Sequence, residues 1–130
     1  MDKNKIIAAI EALQHNIVKQ NKAVGWHTNK KTGLPYTQEE QEELFPTRIA
    51  LCHTELSEAL EGWRKNLMDE HLPKRLNAEV ELADAVIRIL ELGALMGYDV
   101  AEAIFDKMAY NKVRADHKPE NRNKENGKRI

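Results

Sequence analysis

Lys74-Arg-Leu-Asn-Ala-Glu-Val-Glu-Leu-Ala-Asp-Ala-Val-Ile-Arg-Ile-Leu-Glu-Leu-Gly-Ala-Leu-Met96 is the stretch that decides the fold. Its apolar residues Leu76, Val80, Ala83, Ile87, Leu90 and Ala94 recur every three or four positions. That is the period of a helix with one buried face. Pro73 precedes the stretch, and Gly97 follows it as a C-cap able to take a positive φ. A helix from about Lys74 to Met96 is therefore expected.

The same period extends in both directions. Asp99 can N-cap a further helix running to about Arg114, with Val100, Ile104 and Met108 inward. Upstream, a short link around Met68 to Pro73 is preceded by a helix from Pro46 or Thr47 to Asn66. Its inner stripe is read as Ile49, Cys52, Leu56, Leu60 and Trp63. A first helix from Lys3 to Val24 carries Ile6, Ile10, Leu13 and Ile17 inward, and Gly25 ends it. Between the first two helices, residues 25–41 hold two Gly, one Pro and no periodicity. Such a long loop is expected to be functional or mobile. A mobile polar segment is the plainer reading of His27, Lys30, Lys31 and Tyr36, and a lid the sharper one. Beyond Ala115 apolar residues vanish until Ile130, which predicts a flexible polar tail. The expected organisation is an all-α four-helix bundle over residues 1–116 and a tail over 117–130.

Composition sets limits on function. The 130 residues are 42% apolar and 32% charged, with a net charge of -1. No global field draws such a chain to nucleic acid or to an anionic membrane. No apolar run approaches the roughly 20 residues of a membrane span, and the opening Met1-Asp2-Lys3-Asn4-Lys5 lacks the apolar block of a signal peptide. The single cysteine, Cys52, excludes a disulfide framework and reads as core. A cytoplasmic protein is the expectation.

Two carboxylate pairs carry the chemistry. Glu55-Leu-Ser-Glu58 and Glu81-Leu-Ala-Asp84 each have i, i+3 spacing, which stacks two like charges on one helical face. Either pair alone reads as a solvated acidic face. On the helical wheel, however, Asp84 falls within or at the edge of the sector of Val80, Ile87 and Leu90, and Glu81 and Glu55 border their stripes. Carboxylates at a core boundary are costly unless paired or bound to a metal, and four of them suit Mg²⁺, a hard cation. In the last helix Lys107 and Asn111 share the face of Ile104 and Met108, with Arg114 a turn further. They read either as stems that snorkel to water or as groups aimed at phosphate oxygens. Trp26 reads either as a base-stacking residue or as an apolar anchor at the helix end. Trp63 and His53 read as core and core edge. Leu51, apolar on the acidic flank, hints at a subunit contact.

The ordered pairs, followed by Lys107-Met-Ala-Tyr-Asn111-Lys-Val-Arg114, resemble the MazG-like nucleotide pyrophosphohydrolases of the all-α NTP pyrophosphatase superfamily. Their signature is E-x-x-E, a variable spacer and E-x-x-D, often followed by K-x-x-x-N-x-x-R. The resemblance covers residues 5 to 115. It implies a bundle of that superfamily's type in which Glu55, Glu58, Glu81 and Asp84 hold Mg²⁺, with Mn²⁺ as a substitute. It further implies water attack at the α-phosphorus of a nucleoside triphosphate, giving monophosphate and pyrophosphate, with one carboxylate, Glu55 among the choices, handling the water. Lys107, Asn111 and Arg114 would bind phosphate or sugar. A homodimer or dimer of dimers, and a house-cleaning role on deoxynucleotides, are implied as well. Phosphoribosyl-ATP pyrophosphohydrolase activity and a non-catalytic helical dimer with an acidic docking face are the alternatives. A carboxylate-bridged di-iron bundle needs E-x-x-H on two helices, and neither pair has that histidine.

Overall fold

The computed structural model describes residues 2–130, and every described element is helical. The helices are α1 (Lys3–Ala23), α2 (Gln38–Arg64), α3 (Asn77–Leu95), α4 (Val100–Val113) and the single-turn α5 (Pro119–Arg122), with a 3-10 turn over Ala115–His117 between the last two. None is long and apolar enough to cross a membrane. The chain divides into two compact units. One comprises Ala12–Tyr98; the other joins the residues up to Glu11 to Asp99–Ile130.

In the first unit α2 begins eight residues before the Pro46 start read from the sequence. Thr37 caps it: the Thr37 hydroxyl accepts from Glu40 N at 3.2 Å while Glu40 Oε1 accepts from Thr37 N at 3.2 Å. This reciprocal capping box satisfies two helix-end donors at once. Pro46 then lies inside the helix, which continues through it although the ring removes one donor and crowds the carbonyl four residues back. The expected loop shrinks accordingly and is tied down. Asn29 N donates to Leu34 O at 2.8 Å, Tyr36 N to His27 O at 3.1 Å, and Asn29 Nδ2 to Glu40 Oε2 at 2.6 Å.

Helices α2 and α3 form a hairpin. Asn66 at φ 57 and Gly97 at φ 69 supply the left-handed residues that end them. Leu67 N and Tyr98 N reach back to Gly62 O and Gly93 O, both at 2.9 Å. Gly62 faces Asn77 and Glu55 faces Arg88, so the two helices run antiparallel. The α2 residues buried along this contact are Cys52, Glu55, Ala59 and Gly62, so of the stripe expected from the sequence Cys52 alone is buried. Leu56 and Leu60 are exposed, and Trp63 is 73% exposed. The stripe expected for α3 is only partly kept: Leu90 is buried as expected and is joined by Ala85, Leu92 and Gly93, while Leu76 and Ile87 are exposed.

Small residues let the two backbones approach, which leaves the large ones outside. Leu56, Leu60 and Trp63 each follow a contact residue directly, as Leu82, Val86 and Ile89 follow Glu81, Ala85 and Arg88 on α3. Each is thus about 100° round its helix in the same sense. On antiparallel helices that places all six on one face of the hairpin. Glu58, Asp84, Ile87 and Glu91 directly precede contact residues and fall on the opposite face. The second half of α1 packs in this unit through buried Ile17 and through Gln14 Nε2, which donates to Leu90 O at 2.7 Å.

In the second unit Asp99 caps α4 as expected, accepting from Glu102 N at 3.1 Å. Lys3 at the start of α1 pairs with Glu102 at 2.9 Å. The segment read from the sequence as a loose tail contains the 3-10 turn, α5 and an ion pair of Lys128 with Asp116 at 2.8 Å.

Candidate functional site

The antiparallel register brings the two acidic motifs to one level. Glu55, Glu81 and Asp84 each offer a carboxylate oxygen, and the three oxygens lie within 4.8 Å of one another. Glu55 is buried; Glu81 and Asp84 are partly so. Glu58 is exposed at the rim, yet close enough to hydrogen-bond with both Glu55 and Glu81.

The electrostatics of this cluster are unbalanced. Burial, with hydrogen bonds that the protonated Glu81 donates to Glu55 and Glu58, pushes the Glu81 carboxyl up to about 7. Burial and the Glu55 charge raise Asp84 as well. Burial also opposes ionisation of Glu55 but is outweighed by the Arg88 guanidinium, whose Nε donates to Glu55 Oε1 at 2.7 Å, and by hydrogen bonding with Glu81 and Glu58. The carboxyl of Glu55 consequently falls below its ordinary value. Near neutral pH, Glu81 is thus about half protonated and shares its proton with ionised Glu55, the usual behaviour of carboxylates in contact. The donors are all hard carboxylate oxygens, a set that fits Mg²⁺ or Mn²⁺ and not a soft metal.

A frame holds Glu81. Asn77 Nδ2 donates to Glu81 Oε1 at 3.2 Å and to Asp69 Oδ1 at 3.3 Å. Because both partners are carboxylates, the amide orientation is fixed by chemistry. Asp69, buried in the α2–α3 link, also accepts from Leu72 N at 2.8 Å and His71 N at 3.0 Å. These bonds, that to Leu72 foremost, keep its carboxyl below the ordinary range. Gly62 leaves room for the Asn77 amide, since a Cβ there would stand 1.9 Å from Asn77 Oδ1.

Beside the carboxylates runs a cleft of about 270 Å³ lined by Asn21, Trp26, Ile87, Arg88 and Glu91 as well as Glu55 and Asp84. The indole of Trp26 is 68% exposed at its edge. Glu91 is spoken for: Asn21 Nδ2 and His27 Nε2 both bond its carboxylate at 2.6 Å. Leu51, read from the sequence as a hint of a subunit contact, lines the adjoining recess with Trp26, Arg48, Arg88 and Leu92.

No family profile, curated protein or solved structure matches this chain. The assignment of the site therefore rests on its own geometry.

The remaining residues singled out in the sequence lie in the other compact unit. Lys107 Nζ sits 4.7 Å from the Tyr110 ring centre, and the Arg114 guanidinium lies over the same ring at 5.7 Å. Arg114 also grips Asp116 at 2.8 and 2.5 Å. That pair, reinforced by Lys128, holds the Asp116 carboxyl well below the carboxylate range and raises Arg114. Asn111 Oδ1 is buried without a hydrogen-bond partner among the described residues. A buried carbonyl oxygen left unpaired costs free energy, so it suits a donor supplied from outside the chain.

Sequence reasoning missed Arg88, Asn77, Asp69 and Gly62. Arg88 sits one turn after Asp84, and Asn77 one turn before Glu81. That i, i+4 spacing was the available signal, but their roles depend on the facing helix.

Proposed function

We propose that this protein hydrolyses nucleoside triphosphates between the α- and β-phosphates in a Mg²⁺-dependent reaction, releasing a nucleoside monophosphate and pyrophosphate. The observation that carries the reading is the meeting of Glu55, Glu81 and Asp84, with Glu58 at the rim, from two motifs separated by 22 residues of sequence. Three carboxyls this close, two of them held above their ordinary values, support a cation-binding reading. In this reading the chain is a MazG-like helical pyrophosphohydrolase, and its fold is the bundle of that superfamily.

Glu55, Glu58, Glu81 and Asp84 would hold the metal, which when bound neutralises phosphate charge and acidifies water. The chain's own groups do the rest. Arg88 keeps Glu55 ionised and oriented, which makes Glu55 the carboxylate best prepared to accept a proton from water. Asn77 aims Glu81. The cleft beside Trp26 takes the base, with the indole as its stacking surface. The sequence resemblance assigns Lys107 and Asn111 to phosphate or sugar; the unpaired Asn111 Oδ1, an acceptor, suits a sugar hydroxyl and not a phosphate oxygen. Arg114 joins them only if it leaves Asp116. Deoxynucleotides and a house-cleaning role follow from the sequence resemblance.

A homodimer belongs to the same proposal. Leu56, Leu60, Trp63, Leu82, Val86 and Ile89 form an exposed apolar face opposite the carboxylates. Contiguous apolar surface of this kind marks an interface, and a twofold pairing of identical faces is the simplest way to cover it.

The test is pyrophosphate release from a panel of canonical and modified ribo- and deoxynucleoside triphosphates, with Mg²⁺ and with chelator. Glu58→Ala and Asp84→Ala should each abolish Mg²⁺-dependent turnover while the far-ultraviolet helical signal persists. Full activity in both variants would overturn the site.

A further inference from the structure

Arg88 is only partly accounted for by its bond to Glu55. That bond uses Nε, one of five N–H donors on a group that is always charged. The two terminal nitrogens carry the other four donors and bond no side chain or carbonyl among the described residues. The side chain is 35% exposed, and it borders both the cleft with Asn21 and Ile87 and the recess with Leu51 and Leu92. Glu55 pins the guanidinium, so its free edge faces open space at a fixed position. The other cation of the recess, Arg48, donates to the Gln41 side-chain Oε1 and lies over the Tyr36 ring at 5.8 Å.

Position along α3 indicates what that edge meets. Glu81, Asp84, Arg88 and Glu91 follow one another on successive turns. At 1.5 Å per residue, Arg88 is about 6 Å beyond Asp84 along the axis. It stands between the carboxylates and the end of the cleft where Trp26 and Glu91 lie. A ligand anchored through a cation at one end and stacked on the indole at the other lays its middle against Arg88. On the nucleotide reading above, on which this step rests, the middle is the phosphate attached to the sugar. Its paired acceptor oxygens match the guanidinium fork. We propose that Arg88 is a binding residue that grips this sugar-linked phosphate, while its Nε orients Glu55.

The four canonical deoxynucleoside monophosphates and the matching deoxynucleosides serve as probes, titrated calorimetrically with Mg²⁺ present into wild type, Arg88→Gln and Arg88→Lys. Loss of a charge-assisted contact should weaken monophosphate binding by about ten- to a hundredfold in Arg88→Gln. Nucleoside binding should not change. Arg88→Lys keeps the charge without the fork and should fall between. A merely structural role would weaken nucleoside and monophosphate alike, and that result overturns the proposal. So does an unchanged monophosphate affinity, or a loss confined to one nucleobase, which would make Arg88 a reader of the base edge. If Arg88→Gln fails to fold, the phosphate-selective loss must appear in Arg88→Lys. Pyrophosphate release by the wild type together with unaltered monophosphate binding in the variants would sink this step alone. Absence of both release and monophosphate binding in the wild type would sink the nucleotide reading with it.

Discussion

Metal binding at the carboxylate cluster should expel a proton. Without metal, Glu81 is held near a pKa of about 7 by burial and by its contacts with Glu55 and Glu58, against 4.5 for a free side chain. A metal ligand must be deprotonated, so binding competes with that proton. With one group titrating near 7, about nine tenths of a proton should leave at about pH 6 and about one tenth at about pH 8. The apparent affinity should then be about tenfold weaker at the lower pH. Asp84, raised in the same direction, adds to the effect.

The sign for stability follows from the same shift. A carboxyl whose folded pKa is raised binds more protons folded than unfolded between its two pKa values. The metal-free protein therefore loses stability as pH climbs from about 4.5 to about 7, and saturating Mg²⁺ should restore more at high pH than at low. Isothermal titration with Mg²⁺ or Mn²⁺ in two buffers of different ionisation enthalpy counts the protons directly, and thermal melts with chelator and with metal give the stability arm. Equal affinity at both pH values with no proton released would refute the shared-proton account of Glu81. Absence of any metal binding would refute the metal site itself.

Three further outcomes are expected. Gly62→Ala should destabilise the fold by about 2–4 kcal/mol, because the new Cβ displaces the Asn77 amide from two carboxylates; the double variant with Asn77→Ala should melt higher than Gly62→Ala alone, and strict additivity would show that the clash is not with Asn77. Replacing Trp63 and Leu82 by Glu should halve the mass seen by light scattering if the apolar face joins two copies, whereas an unchanged mass would place the contact elsewhere. Removing residues 119–130 should leave the helical signal and melting temperature nearly unchanged, since the tail's Lys128–Asp116 pair is open to solvent; loss of folding would show that the tail packs.

The helical class was legible because periods of three and four dominate the chain, and the caps at Asp99 and Gly97 could be named from residue type alone. The start of α2 is equally available in Thr37-Gln-Glu-Glu40, but a proline such as Pro46 resembles a helix boundary even where, as here, it is an interior residue. The inward stripes were misjudged for a different reason. Large apolar residues such as Leu60 and Trp63 carry the strongest hydrophobic signal, so a wheel places the core on them. The hairpin instead meets through Cys52, which the stripe did include, and through Ala59 and Gly62, whose small size permits close approach but gives little signal in sequence. Of the site, the four carboxylates were readable from spacing. Arg88 and Asn77 were not, because each acts on a residue whose nearness is set by the register of the facing helix.

That choice of contact residues links the two faces of the hairpin. Close approach of α2 and α3 is what crowds Glu55, Glu81 and Asp84 into 4.8 Å, at an electrostatic cost visible in the raised Glu81 and Asp84. The cost is contained by fixed donors, Arg88 on Glu55 and Asn77 on Glu81, so the cluster stays assembled without a cation. Filling the same seam with leucines would bury more apolar area but hold the helices apart and dissolve the cluster. Spending the seam on Gly, Ala and carboxylates leaves Leu56, Leu60, Trp63, Leu82, Val86 and Ile89 facing outward, where a second chain can bury them. Site and apolar face are thus consequences of one packing decision. A substitution that widens the seam should disturb the carboxylates first, whereas one that alters only the outer face should change assembly before it changes the site.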